Sequence, residues 1–350
     1  MFIPSDTPIS ARPEHKERVE RLLTMLTYKR KAFSKSEAAW IERFISPLQS
    51  HPNTSQFCLD SFGNIFIEVC GGSDLLMTAH TDSVHGEEGL QEVLFDANLG
   101  VAYKNDQKPL GADDGAGVWL MQEMLDAGVP CWLAFFRAEE ICGQGSDFAA
   151  KDNPEFFQAF KWCVSLDRRG TSDVITHQGF SRCASEVFAS HLSSALNECG
   201  LDYKPCDGGI FTDSANLTGL IAECTNLSVG YNAEHTGMEE LDVDHLLNLR
   251  DALVSIDWQS LPAVREPGED DFAYGRMGFG RLGFAGDYRR SLSANTTRYA
   301  SRIRVADLYD MTREEMVDAM IEDPDGMADA VWDMLWGDAV PMDTFNDEEM

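Results

Sequence analysis

Apolar residues recur along this chain with two spacings, and the alternation between them sets out the elements. Over residues 14 to 47 the spacing is helical twice: Val19, Leu22, Leu23 and Leu26 share one face, and Trp40, Phe44 and Ile45 share another behind Ser34-Lys-Ser36. Two N-terminal helices packing on the main domain are predicted. Gln56 to Asp60 and Asn64 to Val69, joined by Ser61-Phe62-Gly63, predict a hairpin, and Leu75 to Ala79 predicts a buried strand ending at His80. A second hairpin is expected over residues 91 to 104. The pattern from Val118 to Asp126 then reads as a helix leading through Gly128-Val129-Pro130 into the strand Cys131 to Phe136. Trp162 to Leu166 and Asp173 to Thr176 read as strands, and about Cys183 to Glu198 as a long helix. Asn226 to Tyr231 is a further strand, and Val243 to Ile256 an amphipathic helix that closes the domain. Short strands alternating with helices predict an α/β fold built on a mixed, mostly parallel central sheet flanked by helices.

Beyond Leu261 the periodicity stops. Residues 272 to 290 interleave glycine, arginine and aromatics, which predicts a linker over 262–304. From Val305 onward acidic residues outnumber basic ones fifteen to one, yet Thr312-x-x-Glu315 reads as a capping box, so residues 305–350 are expected to form an acidic tail of short helices. The organisation is therefore N-terminal helices over 1–50, a main domain over 51–261, a linker and a tail.

Length and charge narrow the class. At 350 residues with 43% hydrophobic content, the chain can bury one sizeable core and carry an appendage. A formal charge of -31 argues against phosphate-backbone binding by the main domain and favours cationic or amine-bearing partners. The Arg/aromatic linker, lying between acidic flanks, is read as a tether. Nine cysteines, an odd number set mostly inside apolar runs, suit reduced core thiols and a cytoplasmic location. No window approaches the roughly 20 apolar residues of a membrane span, so no membrane partner is expected.

The candidate chemistry gathers at the ends of the apolar runs. In Leu110-Gly-Ala-Asp-Asp-Gly-Ala-Gly117, glycines allow close approach to a bound group while Asp113 and Asp114 crowd two negative charges into one turn. A solvated turn with a helix cap is the alternative. His80-Thr81-Asp82 puts an imidazole and a carboxylate on one side of an extended segment, an arrangement in which the carboxylate can orient a ligating histidine. Glu139-Glu140 follows one strand, Asp167 follows another, and His235 follows a third. Open α/β sheets place their sites at such strand ends.

As a group these residues resemble the co-catalytic dinuclear zinc peptidases, the superfamily that joins the M20, M28 and M42 metallopeptidases. The resemblance is carried by Ala79-His-Thr-Asp-Ser-Val84, Gly111-Ala-Asp-Asp-Gly-Ala-Gly117, Ala138-Glu-Glu140, Ser165-Leu-Asp167 and Glu234-His-Thr-Gly-Met-Glu239, in that order, over about residues 55 to 258. It implies a zinc exopeptidase-like three-layer sandwich holding two Zn2+, with Co2+ or Mn2+ also acceptable. His80 and Asp167 would hold one ion, Glu140 and His235 the other, and Asp113 would bridge them across a cis Asp113-Asp114 peptide. Glu139 would take the proton of a shared water and return it to the leaving amine, and Asp82 would keep His80 oriented. Asp167 and His235 are only 68 residues apart, too close for the lid domain that M20 members usually insert. The architecture is therefore expected to be closest to single-domain M28-like aminopeptidases, although the last motif reads more like M20 or M42 members. Gly115 replaces the usual Lys or Asp after the acidic pair.

The implied activity is hydrolysis of amide bonds in small peptides, by an aminopeptidase or dipeptidase. A deacylase, carboxypeptidase or cyclase using the same ligands stays open, as does a silent scaffold, against which an intact Glu139 counts. Asp82, Glu87, Glu88, Asp213 and Glu239 are carboxylates available to a substrate α-amino group, whereas recognition of a substrate carboxylate would need Arg168 or Arg169. Asp213 and Arg168 are the expected substrate contacts.

Overall fold

The computed structural model describes residues 8–179 and 181–268. The expected tail and most of the expected linker lie outside the described residues.

The centre is an eight-stranded sheet. Its strands are β1 (Thr54–Leu59), β2 (Ile65–Val69), β3 (Leu75–His80), β4 (Cys131–Phe136), β5 (Trp162–Arg168), β6 (Asp173–Ile175), β7 (Lys204–Cys206) and β8 (Glu223–Ser228). They lie side by side in the order β7-β6-β8-β5-β3-β4-β2-β1. The four strands β8, β5, β3 and β4 run parallel, while β1 and β2 add an antiparallel hairpin at one edge. Every residue of β3 is buried, as a central parallel strand covered on both faces requires.

Helices α1 (Lys16–Leu26), α2 (Lys35–Phe44), α3 (Ala112–Ala127), α4 (Gln144–Asp152), α5 (Glu186–Glu198) and α6 (Val243–Ser255) flank the sheet. α3 is buried around its whole circumference over Ala112 to Leu125, which only a central helix tolerates. Toward its far end the buried Glu123 accepts hydrogen bonds from Arg18, Arg21 and Arg250, so a single carboxylate ties α1 and α6 to α3.

α3 starts at Ala112 rather than Val118, and three further boundaries differ from the sequence pattern for reasons of local backbone geometry or hydrogen bonding. α5 begins at Glu186 rather than Cys183, because the Ser185 hydroxyl accepts the Phe188 N–H while the Cys183 and Ala184 amides donate to Thr176. The strand expected over Asn226 to Tyr231 is instead Glu223–Ser228. Gly230, at φ 105°, turns the chain out of the sheet, and Tyr231–Asn232 pairs with Glu240–Asp242 in a separate small sheet. The turn carries the His235 loop back over the strand ends. Finally, the residues placed at the start of the linker are bonded to the domain: Trp162 donates to Pro262 O, and Arg265 donates to the carbonyls of Ala222, Thr218 and Ile221.

Among the described residues, the segment between Asp167 and His235 carries β6, α5, β7, β8, the two-residue strands His177–Gln178, Ser181–Arg182 and Tyr231–Asn232 and a 3-10 turn over Asp213–Leu217, with no inserted domain. No helix of the described residues is long and apolar enough to cross a membrane. All nine cysteines are free thiols.

Candidate metal centre

His80 ends β3, Glu139 and Glu140 follow β4, and Asp167 lies near the end of β5, so the carboxyl ends of three adjacent parallel strands meet in one place. The crossover from β3 to β4 brings in the start of α3, which carries Asp113 and Asp114 over the same strand ends. The Asp113–Asp114 peptide is cis, as the resemblance implies.

The five expected ligands converge. Asp113 divides its carboxylate between two imidazoles: Oδ1 lies 2.9 Å from His80 Nε2, and Oδ2 lies 3.1 Å from His235 Nε2. His80 Nε2 is also 3.6 Å from Asp167 Oδ1, and His235 Nε2 is 3.0 Å from Glu140 Oε2. Asp113 therefore stands between a His80–Asp167 group and a His235–Glu140 group. Ligand atoms of His80, Asp113 and Glu140 lie within 4.8 Å of one another, and so do those of His80, Asp114 and Asp167. The centre is buried except on the side of His235, whose side chain is 47% exposed. Glu139 reaches the same space, its Oε2 being 3.9 Å from His80 Nε2.

Electrostatics test whether this set fits cations. Burial raises the Glu140 carboxyl to about 7, with help from the Asp113 charge. Burial likewise holds Asp167 above and Glu139 well above the ordinary carboxylate range, each with neighbouring carboxylates adding to the effect. Burial alone would lower His80 and His235, but the carboxylates around them prevail; His80 is raised well above 6.5 and His235 to about 11. Positive charge is what the cluster lacks, and the two imidazoliums supply it. Oxygen and imidazole donors without thiolate, set in two groups about a shared carboxylate, are a donor set that could hold divalent metal.

A second layer of contacts, mostly illegible in sequence, holds the donors in place. The buried Glu239 carboxylate accepts four backbone N–H groups, from Leu110 (2.8 Å), Gly111 (3.1 Å), Ala112 (2.7 Å) and Asp113 (3.2 Å). It fastens the start of α3 to the His235 loop. Asp82 accepts the N–H groups of Glu139 (3.1 Å) and Glu140 (3.2 Å), and its Oδ1 lies 3.4 Å from His80 Nδ1. The hydrogen-bond partner of His80 Nδ1 is the Asp82 backbone carbonyl, at 3.2 Å, so the carboxylate is engaged chiefly by the Glu139-Glu140 amides. Thr212 and Tyr231 donate their hydroxyls to the two oxygens of Asp167, at 2.6 and 2.9 Å. Asp114 accepts the N–H groups of His80 (3.1 Å) and Gly117 (2.9 Å).

The N-terminal segment takes part directly. Arg30 is fully buried, donating Nε to Thr81 O (3.0 Å) and Nη2 to Gly111 O (2.9 Å) beneath the loops that carry Asp82 and Asp113. A Cβ at Gly115 would come within 2.9 Å of Leu26 Cδ2 and 3.4 Å of Arg30 Nη2, so a side chain there would have to displace the ends of those two side chains. Glu37 binds both Thr81 Oγ1 (2.7 Å) and the Arg137 guanidinium (3.1 and 2.7 Å). Arg30, in the link between α1 and α2, and Glu37, in the first turn of α2, carried no sequence signal, since both lie upstream of the motifs. Glu239 and Thr212 had one, as neighbours of His235 and Asp213.

The expected substrate contacts are placed differently. Arg168 pairs with Asp173 through two nitrogens at 3.2 and 3.1 Å, and Arg169 pairs with Glu234 at 3.1 Å. Asp213 is buried rather than presented to solvent. Its oxygens accept no hydrogen bond, the nearby Ser146 hydroxyl being donated to Gly143 O; burial, augmented by Asp167, raises its carboxyl to about 7. Glu87 faces Lys29 and Lys108 on the surface, and Glu239 is committed to the four amides.

No protein-family model matches the chain, and no curated protein matches it. Solved structures do. Aminopeptidase PepT from Bacillus cereus is 14% identical, with 69% of this chain aligned to 97% of that one at a TM-score of 0.53. A tripeptidase from Staphylococcus aureus is 12% identical over 69% of this chain and 96% of its own, with a TM-score of 0.53. The TET aminopeptidase of a marine-sediment thaumarchaeon is 12% identical over 68% and 96%, also at 0.53. The described chain thus has the mixed α/β fold shared by these aminopeptidases and the tripeptidase.

Proposed function

We propose that this chain is a metallo-exopeptidase of the dinuclear zinc superfamily, an aminopeptidase or dipeptidase acting on small peptides. Two divalent cations, zinc in the first place, would be held by His80 and Asp167 on one side, Glu140 and His235 on the other, and Asp113 between. The observation that carries the reading is the division of the Asp113 carboxylate between His80 and His235, each imidazole having a further carboxylate beside it. The fold shared with known aminopeptidases supports it.

When bound, the cations would polarise the scissile carbonyl and bring the pKa of an attacking water towards neutrality. The remaining work falls to side chains. Glu139 adjoins the ligands, its Oε2 3.9 Å from His80 Nε2, so it would accept the water proton and return it to the amine nitrogen as the C–N bond breaks. Asp82, by holding the backbone of both Glu139 and Glu140, keeps the shuttle in register with the ligand beside it. Thr212 and Tyr231 orient Asp167.

Arg168 and Arg169, the two cations that a substrate carboxylate would need, are both engaged in ion pairs, which counts against carboxylate recognition. The test uses one dipeptide in free, N-acetylated and C-amidated form, with added zinc and with a chelator. Aminopeptidase action requires that acetylation abolish cleavage, that amidation leave it largely intact, and that chelation stop it. Cleavage of the acetylated form alone would replace the reading with a carboxypeptidase or deacylase.

A further inference from the structure

Among the described residues, Arg30 is the only lysine or arginine with no exposed surface. A buried guanidinium is costly to desolvate and persists only where its contacts compensate for that. Arg30 lies in the link between α1 and α2, outside every motif, yet its hydrogen-bond partners all lie in the segments that carry His80 and Asp113. Its backbone pairs with Ser83 in both directions: the Arg30 N–H donates to Ser83 Oγ at 3.1 Å, and Arg30 O accepts the Ser83 N–H at 2.9 Å. Its side chain donates to Thr81 O at 3.0 Å and to Gly111 O at 2.9 Å. Thr81 stands between His80 and Asp82, and Gly111 stands two residues before Asp113.

The two side-chain bonds leave from Nε and Nη2, which form one edge of the guanidinium plane and donate in parallel. Because that plane is rigid, the spacing of its donors fixes the spacing of the two carbonyls, one from each turn. The group is confined elsewhere too. The Trp40 ring centroid is 4.7 Å from Arg30 Cζ, and a Cβ at Gly115 would lie 3.4 Å from Nη2 and 3.5 Å from Nη1. Burial lowers the pKa of the guanidinium, while attraction to the carboxylates of Asp114, Glu239, Asp82 and Asp113 opposes that shift. A fixed positive charge beside those carboxylates would by itself repel an incoming divalent cation. Any gain for metal binding must therefore come from geometry.

We infer that Arg30 is a positioning residue for the metal centre: by spanning Thr81 O and Gly111 O it holds the two turns at the separation that brings His80 Nε2 within 2.9 Å of Asp113 Oδ1. The link between α1 and α2 is then a working part of the centre, acting through the ligands without touching substrate. The inference rests on the metal-binding reading above.

The test measures the zinc affinity of the full-length protein by competition with a chromophoric chelator, in wild type, Arg30→Lys, Arg30→Gln and Glu123→Gln. Lysine keeps the charge and loses the rigid fork, whereas glutamine keeps one amide donor and loses the charge. Glu123→Gln disrupts the arginine cluster ten residues beyond Asp113 on α3 and is the control for general destabilisation. Urea denaturation and near-ultraviolet circular dichroism establish which variants are folded, and Arg30→Gln carries the comparison if Arg30→Lys is not. Both Arg30 variants are expected to bind zinc about 10- to 100-fold more weakly than wild type while folded. Glu123→Gln should denature at lower urea yet stay within about twofold of the wild-type affinity, as a distant independent site does. Tighter binding by Arg30→Gln would make Arg30 a counter-charge only and overturn the inference. Unchanged affinity in the folded Arg30 variants would overturn it as well, as would an equal loss in Glu123→Gln. Those results leave the metal-binding reading standing, whereas no zinc bound by wild type overturns that reading and this inference with it.

Discussion

The contact whose removal should reveal most is the Glu239 carboxylate. It is buried and accepts four N–H groups from consecutive residues, the last of them Asp113. In Glu239→Gln the amide oxygen can still serve two of these donors, but the amide NH2 then confronts the other two. Each buried donor left without an acceptor costs about 1–3 kcal/mol, so the substitution should destabilise the fold by roughly 2–6 kcal/mol. That is a large part of a typical stability of about 5–15 kcal/mol. Because the freed amides belong to the turn carrying Asp113, zinc affinity should also fall, by about 10- to 100-fold as for other contacts that orient ligands. Urea denaturation of the metal-free protein reads the first effect and competition with a chromophoric chelator reads the second. Glu240→Gln, at the exposed neighbouring position, is the control. If Glu239→Gln denatured within about 0.5 kcal/mol of wild type at unchanged m, the four-amide clamp would not be a stabilising feature and the reasoning would fail.

The other predictions concern shuttle, ligands, titration and boundary. Glu139→Gln should keep both metals yet lose about two to four orders of magnitude in kcat, whereas Asp113→Ala should lose metal; equal depletion on metal analysis would refute the division of roles. In the metal-free protein Glu140 and Asp213 are raised to about 7 and His235 to about 11. Raised values stabilise the fold below the unfolded pKa and lose that contribution as pH climbs through the folded one, so metal-free stability should fall from about pH 4.5 upward for the carboxyls and from about pH 6.5 upward for the imidazole. Saturating zinc should reverse the trend near neutrality, because deprotonated ligands bind it best; parallel denaturation profiles with and without zinc would contradict this. A chain ending at residue 268 should denature like the full-length protein, while one ending at Leu261 should lose roughly 2–4 kcal/mol with the Arg265 and Val264 hydrogen bonds. Identical denaturation midpoints for the two would show those bonds to be dispensable.

Local order along this chain was legible because it follows from period and punctuation. An unbroken apolar run such as Cys131 to Phe136 has no soluble alternative to a covered strand, and it forms that strand residue for residue. The donors at strand ends were legible for a related reason: parallel strands under crossover helices expose only their carboxyl ends, so His80, Glu140 and Asp167 could meet in one place. Asp113 and His235 were reached through the order of the five motifs.

Contacts between segments far apart in sequence were decided by the tertiary structure alone. Glu239 lies 126 to 129 residues from the amides it binds, and Glu37 lies 100 from Arg137. Nothing in the local pattern distinguishes such buried acids from solvated ones. The same limit hid from the sequence that packing buries Asp213 and that an ion pair engages Arg168. Likewise the packing of Leu26 and Arg30 against Gly115 is set by the tertiary structure and has no local sequence sign. Periodicity determines which residues turn inward; which inward polar groups meet depends on how the strands are ordered, and that ordering arises only when the whole sheet is assembled.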